Sequence, residues 1–467
     1  MESLAQITDR IREQLQRSRG AVHLAGIGGI GMAGLAYHLY KRGFEVSGCD
    51  VSFGRTTEWL AARGIPVEQG HHPAHVERDI DWLIRSAAVP ENSAELTAAR
   101  ARGLPIFNRG WVLPLLLEGA YSIAVSGTHG KTTTTAMIAQ VFMTAGRDPS
   151  YCVGGEWNEG RDMAGVGAGN VMIVEADESD GTVELYAPDV AVITNIEYDH
   201  MENFRSEEAL VKCFRTFAGK AQRTLVYGED DSRARQVCGT LEKGLSFGLL
   251  ASARVRGLEV VPGSGAISFD VTHDGVRLGR VALQVPGIHN VQNALAACAV
   301  ALASGISFED IRRGLNAFQA VRRRFERVLD NEDWLVISDY SHHPTEIRAL
   351  VQAARGIGRK RIVAVFQPHR FTRTKALGAD FPPSFEGIDA LVLAPVYAAS
   401  EASLPGGASS DLLALFDRFS TIPVLLADSL PDAWAKLRPL LRKGDLLLVI
   451  GAGDVEKVAG WAKNALE

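Results

Sequence analysis

No stretch of the sequence approaches the ~18 consecutive apolar residues that a membrane-crossing helix needs, so a helical membrane span is not expected. Low-complexity segments and short-period repeats are also missing, which argues against solenoids. Cysteine is scarce: Cys49, Cys152, Cys213, Cys238 and Cys298 are odd in number, widely spaced and without a CxxC pair. Neither a disulfide framework nor a zinc ribbon is expected, and a reducing compartment fits best. Nor is there a surplus of basic charge. With 49 Lys and Arg against 55 Asp and Glu the formal net charge is −6, which argues against an extended nucleic-acid-binding face but leaves room for a local positive pocket. The opening residues MESLAQITDRIREQLQRSRG are charged throughout and lack the apolar core of a secretory signal. A cytoplasmic location is therefore expected, with no nucleic acid and no obligate protein partner evident.

What is present is enough chain, 467 residues, for about three domains, each with its own core. They are organised around Tyr121 to Ala145, YSIAVSGTHGKTTTTAMIAQVFMTA: an apolar run, a glycine-punctuated turn ending in Gly130-Lys131-Thr132, then a helical pattern. That is the shape of a phosphate-binding loop, in which backbone N–H groups face phosphates, a lysine reaches the outer ones and a hydroxyl ligates Mg²⁺. Val125 stands where the general pattern has its first glycine, so the loop is effectively Gly127-Thr128-His129-Gly130-Lys131-Thr132, followed by Thr133. The alternative is a plain strand-to-helix turn with an exposed lysine.

Upstream, Arg10 to Arg19 read as a polar helical lead-in. Gly26, Gly28 and Gly31 then fit G-x-G-x-x-G between a strand and a helix, and Asp50 ends the next strand about where a ribose-binding acid would lie. Such a fingerprint reports close approach of backbone to a diphosphate, so NAD, FAD and a UDP-sugar remain open on it. Residues 1–118 read as one small open α/β domain. His71, His72 and His75 invite a metal reading, but no neighbouring cysteine or acid completes a set, and polar contacts of a substrate loop or plain surface exposure are favoured.

In residues 119–325 the apolar runs of VMIVEADES and VAVITNIEYDHMENF have the character of doubly buried parallel strands, and their ends carry Glu175, Asp177, Glu178, Asn195, Asp199 and His200. Parallel sheets bind ligands at their carboxyl ends, so these groups should share a rim with Lys131. Mg²⁺ prefers oxygen, which makes Glu178 the natural ligand and leaves His200 open between ligand and orienting group. An antiparallel appendage follows between Ala253 and Val285, with hairpin turns at GSG and His273-Asp274-Gly275. A helix then opens with His289, Asn290 and Asn293, the two amides being neighbours on one face. Arg322-Arg323-Arg324 precede a boundary near Glu326. In residues 326–467, α/β alternation returns: Asp339, Tyr340, His342 and His343 follow one strand, His369, Arg370 and Arg373 another, and Gly451, Gly453 and Asp454 the last. With no third ligand beside it in sequence, the His342-His343 pair is read as a substrate or nucleotide contact.

Read together, GIGGIGMAGLA, SGTHGKTTTT, VEADESD, TNIEYDHME, PGIHNVQNALAA, RRRFE, DYSHHPTE and QPHRFTRT occur in the order seen in the Mur ligases of bacterial cell-wall synthesis, which the chain resembles over essentially its whole length. The resemblance implies an α/β protein of three domains. These are an N-terminal Rossmann-like domain for the UDP-sugar, a central P-loop domain for ATP with an antiparallel appendage, and a C-terminal Rossmann-like domain bringing the amino acid. It implies an ATP-dependent ligase that phosphorylates the lactyl carboxylate of UDP-N-acetylmuramate and delivers the acyl group to L-alanine; a relative attaching a recycled murein peptide is the alternative. By the same resemblance Gly127 to Thr133, His289, Asn290, Asn293, Arg324 and Asp339 contact ATP, with Lys131 the phosphate lysine and Arg324 an interdomain phosphate contact. Thr132, Glu178 and His200 hold Mg²⁺, as two ions. Tyr340, His342, His369 and Arg370 face alanine and the acyl phosphate, and Gly28, Gly29, Ile30, Asp50, His71 and Ser86 the sugar nucleotide. Ser338 and Ser341 depart from the acid and glycine common in the family, and Glu202 from its aspartate. Lys212 is not assigned to the carbamylated lysine of sister ligases.

Overall fold

A computed structural model describes the chain apart from residues 1, 2, 18, 158–161, 180, 200–202, 205 and 400. Three sheets follow one another along it. The first contains β1 (Ala21–Ala25), β2 (Glu45–Asp50), β3 (Val67–Gln69), β4 (Trp82–Arg85) and β5 (Ile106–Asn108), all parallel, in the order β3-β2-β1-β4-β5. The order reverses direction at β1, and the crevice beyond its carboxyl end receives the Gly26 turn, Asp50 from β2 and Ser86 beyond β4. The lead-in helix begins earlier than its polar residues suggest, at Leu4, because Ser3 caps it, and it ends at Gln16. It packs through Ile11, which is fully buried.

The second sheet has ten strands: β6 (Tyr121–Ser126), β7 (Ser150–Cys152), β8 (Ala164–Gly165), β9 (Val171–Glu175), β10 (Val190–Ile193), β11 (Thr224–Gly228), β12 (Gly244–Gly248), β13 (Val255–Gly263), β14 (Ala266–His273) and β15 (Val276–Leu283). β6 lies between β10 and β9 and is parallel to both, so the three carboxyl ends open on one rim. Beyond β12 the sheet turns antiparallel, β13-β14-β15, with Asp274 and Gly275 at φ 49° and 81° in the second hairpin turn. Helices Lys131–Thr144 and Ile288–Ala303 cover this sheet, and eleven consecutive residues of the former, Thr132 to Phe142, are buried.

The third sheet runs β16-β17-β21-β18-β19-β20, from β16 (Glu326–Asp330), β17 (Leu335–Asp339), β18 (Ile362–Phe366), β19 (Ala390–Leu393), β20 (Val424–Leu426) and β21 (Leu446–Ile450). β17, β21 and β18 are buried along their whole length, as near-continuous Leu, Ile and Val runs require of parallel strands covered on both faces. Only β16 runs antiparallel, at one edge.

Candidate active site

The rim of the second sheet and the rim of the third face each other. Gly127 and Gly130 hold the loop after β6 at φ 130° and 82°. A side chain on Gly127 would strike Thr194 and one on Gly130 would strike the Asn293 carboxamide, so both positions need glycine for conformation and for space. Strand β10 then ties the loop down. Asn195 Oδ1 accepts the His129 N–H at 2.8 Å, Thr194 Oγ1 donates to the His129 carbonyl at 2.7 Å, and Thr128 Oγ1 donates to the Glu197 carbonyl at 3.0 Å. With the amides of Thr128 and His129 taken by Asn195, the first turn of the helix at Lys131, whose N–H groups lack intrahelical acceptors, is what the loop turns toward an anion.

Lys131 Nζ donates to the carbonyls of Gly127 and Thr128 at 2.6 and 3.1 Å and to Glu178 at 2.9 Å. Burial alone would lower its pKa, but Glu178, Asp177 and Glu175 outweigh burial and hold it above the ordinary lysine value. Glu178 is itself 1% exposed. Together with the buried hydroxyl-bearing Thr132 it gives an oxygen donor set of the kind a hard dication takes. His200, the remaining expected metal ligand, lies outside the described residues.

A cavity of about 410 Å³ runs from this loop into the cleft between the second and third sheets. His129, Gly130, Thr133, His289, Asn290, Asn293, Arg324 and Asp339 all line it, with Phe318 and Phe325 as apolar wall. Asn290 and Asn293 share a helix face, the Asn293 amide donating to Asn290 Oδ1 at 3.2 Å. Asp339 is less free than its place at a strand end suggests: one oxygen accepts the Phe325 N–H at 2.7 Å and the other accepts the Ser341 N–H and hydroxyl. Burial lowers the His289 pKa, so that ring is neutral. Arg324 lies 5.1 Å above the Tyr340 ring and 3.8 Å from Glu346.

Three contacts that the sequence did not single out close this cleft. His129 bridges the two domains, with Nε2 2.8 Å from Glu197 and Nδ1 3.3 Å from Glu346. Arg373 makes a bidentate pair with Asp199 at 2.9 and 3.0 Å, both side chains being under a tenth exposed. Thr345 Oγ1 donates to Glu197 at 2.8 Å. Glu346 also forms a capping box with His343 at the start of the helix Pro344–Arg355. Within the third domain His342 Nδ1 lies 3.0 Å from the Tyr340 carbonyl, and burial drives its pKa down to about 3, so the imidazole is neutral. His369 packs 5.6 Å from His342 and stacks on Tyr397, and Arg370 reaches Glu401 at 3.6 Å from a backbone held at φ 69°. His343 has more company than the sequence showed, since His129 and Glu197 stand beside it.

Burial would lower the His129 pKa, but the hydrogen bonds its ring donates to Glu197 and Glu346 carry it up to about 9 from the free value of 6.5. A raised folded-state pKa stabilises below the unfolded value and the contribution is lost as pH rises through the folded one. The melting temperature of the wild type should therefore fall more steeply than that of His129→Gln between pH 6.5 and about 9, a difference readable by calorimetry across that window. Parallel pH profiles would mean that the bridge carries no charge.

In the first domain Gly28 donates its N–H to Asp50 at 2.9 Å, and a Cβ on Gly28 would sit 2.8 Å from that carboxylate. Gly29 caps the helix that starts at Ile30, and Ser86 lies so close that a Cβ on Gly26 would meet it at 2.9 Å. His71 is drawn away from a pure surface role: its Nδ1 is 3.0 Å from Glu95 and 3.2 Å from Cys49. The expectation that no cysteine or acid accompanies these histidines is thus corrected. Cys49 and Glu95 are remote in sequence and are delivered by β2 and by the helix Ala94–Ala101.

Models of the Mur ligase family match in succession: the Mur ligase family catalytic domain over residues 21–121, the Mur ligase middle domain over 125–301, and the Mur ligase glutamate ligase domain over 323–453. A protein of Solidesulfovibrio magneticus named UDP-N-acetylmuramate–L-alanine ligase is 39% identical over 442 residues, 94% of this chain and 96% of that protein. The crystal structure of the UDP-N-acetylmuramate-alanine ligase of Thermotoga maritima superposes with a TM-score of 0.83 at 28% identity, covering 96% of this chain and 99% of that one. A murein peptide ligase from Psychrobacter arcticus shares the fold with a TM-score of 0.72 at 22% identity, over 96% of this chain and 98% of its own.

Proposed function

We propose that this chain, which belongs to the Mur ligase family, joins L-alanine to the lactyl carboxylate of UDP-N-acetylmuramate in peptidoglycan precursor synthesis, spending ATP and releasing ADP and phosphate. The observation that carries this most is the 39% identity, over 94% of the chain, with a protein named for that reaction. A carboxylate is a poor acyl donor until its oxygen carries phosphate, so ATP is used to make an acyl phosphate that the alanine amine attacks. The cavity beside Gly130, Asn290, Asn293 and Asp339 suits adenine and ribose, and it leads to Lys131, whose charge meets the transferring phosphoryl group. We place Mg²⁺, as two ions, on Thr132, Glu178 and His200; when bound it neutralises charge on the phosphates and polarises the transferring group. Arg324 supplies a cation from the far side of the cleft.

Acceptor and amine come from opposite domains. The turn at Gly28, Gly29 and Ile30, with Asp50, Ser86 and His71 about it, holds the sugar nucleotide, and Tyr340, His369 and Arg370 hold alanine, the guanidinium pairing with its carboxylate. His342, neutral with a pKa of about 3, is too weak a base to take the ammonium proton and acts by orienting the acyl phosphate. Cell-wall assembly, cell shape and division then depend on this step. Among the described residues no helix is long and apolar enough to cross a membrane, and we place the reaction in the cytoplasm, where ATP is made. Phosphate release with UDP-N-acetylmuramate, ATP and Mg²⁺ should depend on L-alanine, with glycine and L-serine turned over more slowly. Release that ignores alanine, or follows a murein tripeptide instead, would sink the assignment, the second result in favour of the peptide ligase.

A further inference from the structure

Behind the glycine turn of the first domain lies a closed set of donors that the ligase chemistry does not use. His23 on β1, Cys49 on β2, His75 in the short turn Pro73–Val76 and Glu95 in the helix Ala94–Ala101 each bring one donor atom, and these lie within 4.8 Å of one another. His23, Cys49 and Glu95 are fully buried and His75 is 8% exposed. Glu95 sits at the centre, with His23 Nε2 and His75 Nδ1 each 3.0 Å away and Cys49 Sγ at 3.1 Å. Four donors from four separate elements, meeting out of water, are far from the usual setting of a carboxylate.

The outward sides of the two imidazoles are also arranged. His23 Nδ1 is 2.9 Å from Ser47 Oγ, which fixes the ring with Nε2 pointing inward. His75 Nε2 faces Glu68 Oε2 at 3.7 Å, and that oxygen is buried without a hydrogen-bond partner. An oxygen behind each histidine is what metal-ligating imidazoles ordinarily have, because it sets the tautomer and raises the basicity of the ligating nitrogen.

We propose that His23 Nε2, Cys49 Sγ, His75 Nδ1 and a Glu95 oxygen form a structural zinc site. The donor set of one sulfur, two nitrogens and one oxygen suits Zn²⁺, and a thiolate with a carboxylate neutralises its two charges, which a dry site demands. A tetrahedron with arms of about 2.1 Å has edges of roughly 3.4 Å, so the three contacts to Glu95, now 3.0 to 3.1 Å, need to lengthen by only about a few tenths of an ångström. Binding exchanges the thiol proton of Cys49 for the metal and releases that proton to solvent. The site braces the turn it lies behind. The Cys49 carbonyl accepts the N–H groups of Gly26 and Ile27 at 2.8 and 3.0 Å, so fixing Cys49 fixes the fingerprint loop.

Cobalt(II) reports such a site through a thiolate-to-metal charge-transfer band. Titrating the chelator-treated full chain with Co²⁺ should give that band with saturation at one equivalent, and Zn²⁺ should bleach it and raise the melting temperature. Cys49→Ser should abolish the band, His75→Gln should weaken Co²⁺ binding at least about tenfold, as loss of one ligand or its support does, and Cys152→Ser should leave it intact. Absence of a thiolate band in the wild type, which does not depend on any variant folding, overturns the site. So does a band that survives Cys49→Ser, or saturable Co²⁺ absorption without sulfur character, which would place the ion on nitrogen and oxygen ligands elsewhere.

Discussion

Lys131→Ala should lower kcat by about 10²-fold or more while leaving affinity for the UDP-sugar within about twofold. The ammonium is seated inside the loop, tied to two loop carbonyls and to Glu178, and its pKa is held above the ordinary lysine value, so it is charged at any working pH. Its removal does more than delete a phosphate contact. Glu178, with Glu175 and Asp177 nearby, then faces the loop without the charge that balances it, and an incoming polyphosphate meets net repulsion. The sugar nucleotide, which we propose binds at the first sheet, should not register the change. Steady-state kinetics with ATP varied, beside calorimetry with the UDP-sugar alone, separates the two; unchanged turnover would show that the loop does not hold the phosphates.

Arg373→Met is expected to be nearly as damaging by another route. Its guanidinium crosses the cleft to Asp199 and the pair is almost fully buried, so truncating one partner leaves a carboxylate dehydrated and unbalanced at a cost of about 3–5 kcal/mol. Parting of the domains to let water reach Asp199 relieves much of that cost, and the loss should then appear in catalysis as a fall of roughly 10²-fold in kcat/KM more than in unfolding. Asp199→Asn alone should cost less, because an amide still accepts a hydrogen bond. The double variant should fall well short of the summed effects, since both substitutions break one interaction. Additive losses would place Arg373 outside the interface.

What the sequence disclosed and what it withheld divide along the range of the interactions. The loop at Gly127 to Thr132 was legible because local features coincide there: an apolar strand, two glycines at positive φ and the start of a helix. The parallel strands announced themselves as unbroken runs of Val, Ile and Leu, and Asn290 and Asn293 fell on one face from spacing alone. The pairs His129 with Glu346 and Arg373 with Asp199 join residues 217 and 174 positions apart, and no periodicity records such a distance. The donors about Glu95 escaped for the same reason: His71 and His75 are close in sequence, but Cys49 and Glu95 arrive only through the packing of a sheet against a helix. Strands β7 and β8, of three and two residues, were too short to be read, and the edge strand β16, ERVLD, has no buried residue and no apolar run to mark it.

The arginine cluster has a mechanical meaning. Arg322 is fastened to the middle domain, its N–H to the Glu156 carbonyl at 2.7 Å and its guanidinium to the Glu156 carboxylate at 2.8 Å. The very next residue belongs to the other side: the Arg323 guanidinium donates to the Gly453 carbonyl at 2.8 Å and its own carbonyl takes the Tyr340 N–H at 2.7 Å. The chain thus changes anchorage across a single peptide link, with Arg323 and Phe325 already at φ 55° and 56°. Any swing of the last domain would be concentrated in these few torsions, and Arg324, riding on the far side of the pivot, would travel with the lever arm. A residue on a lever delivers its charge only at one end of the stroke. The three arginines would then act as an axle with a cam, coupling arrival of the amino acid on the last domain to arrival of a cation at the phosphates on the middle one.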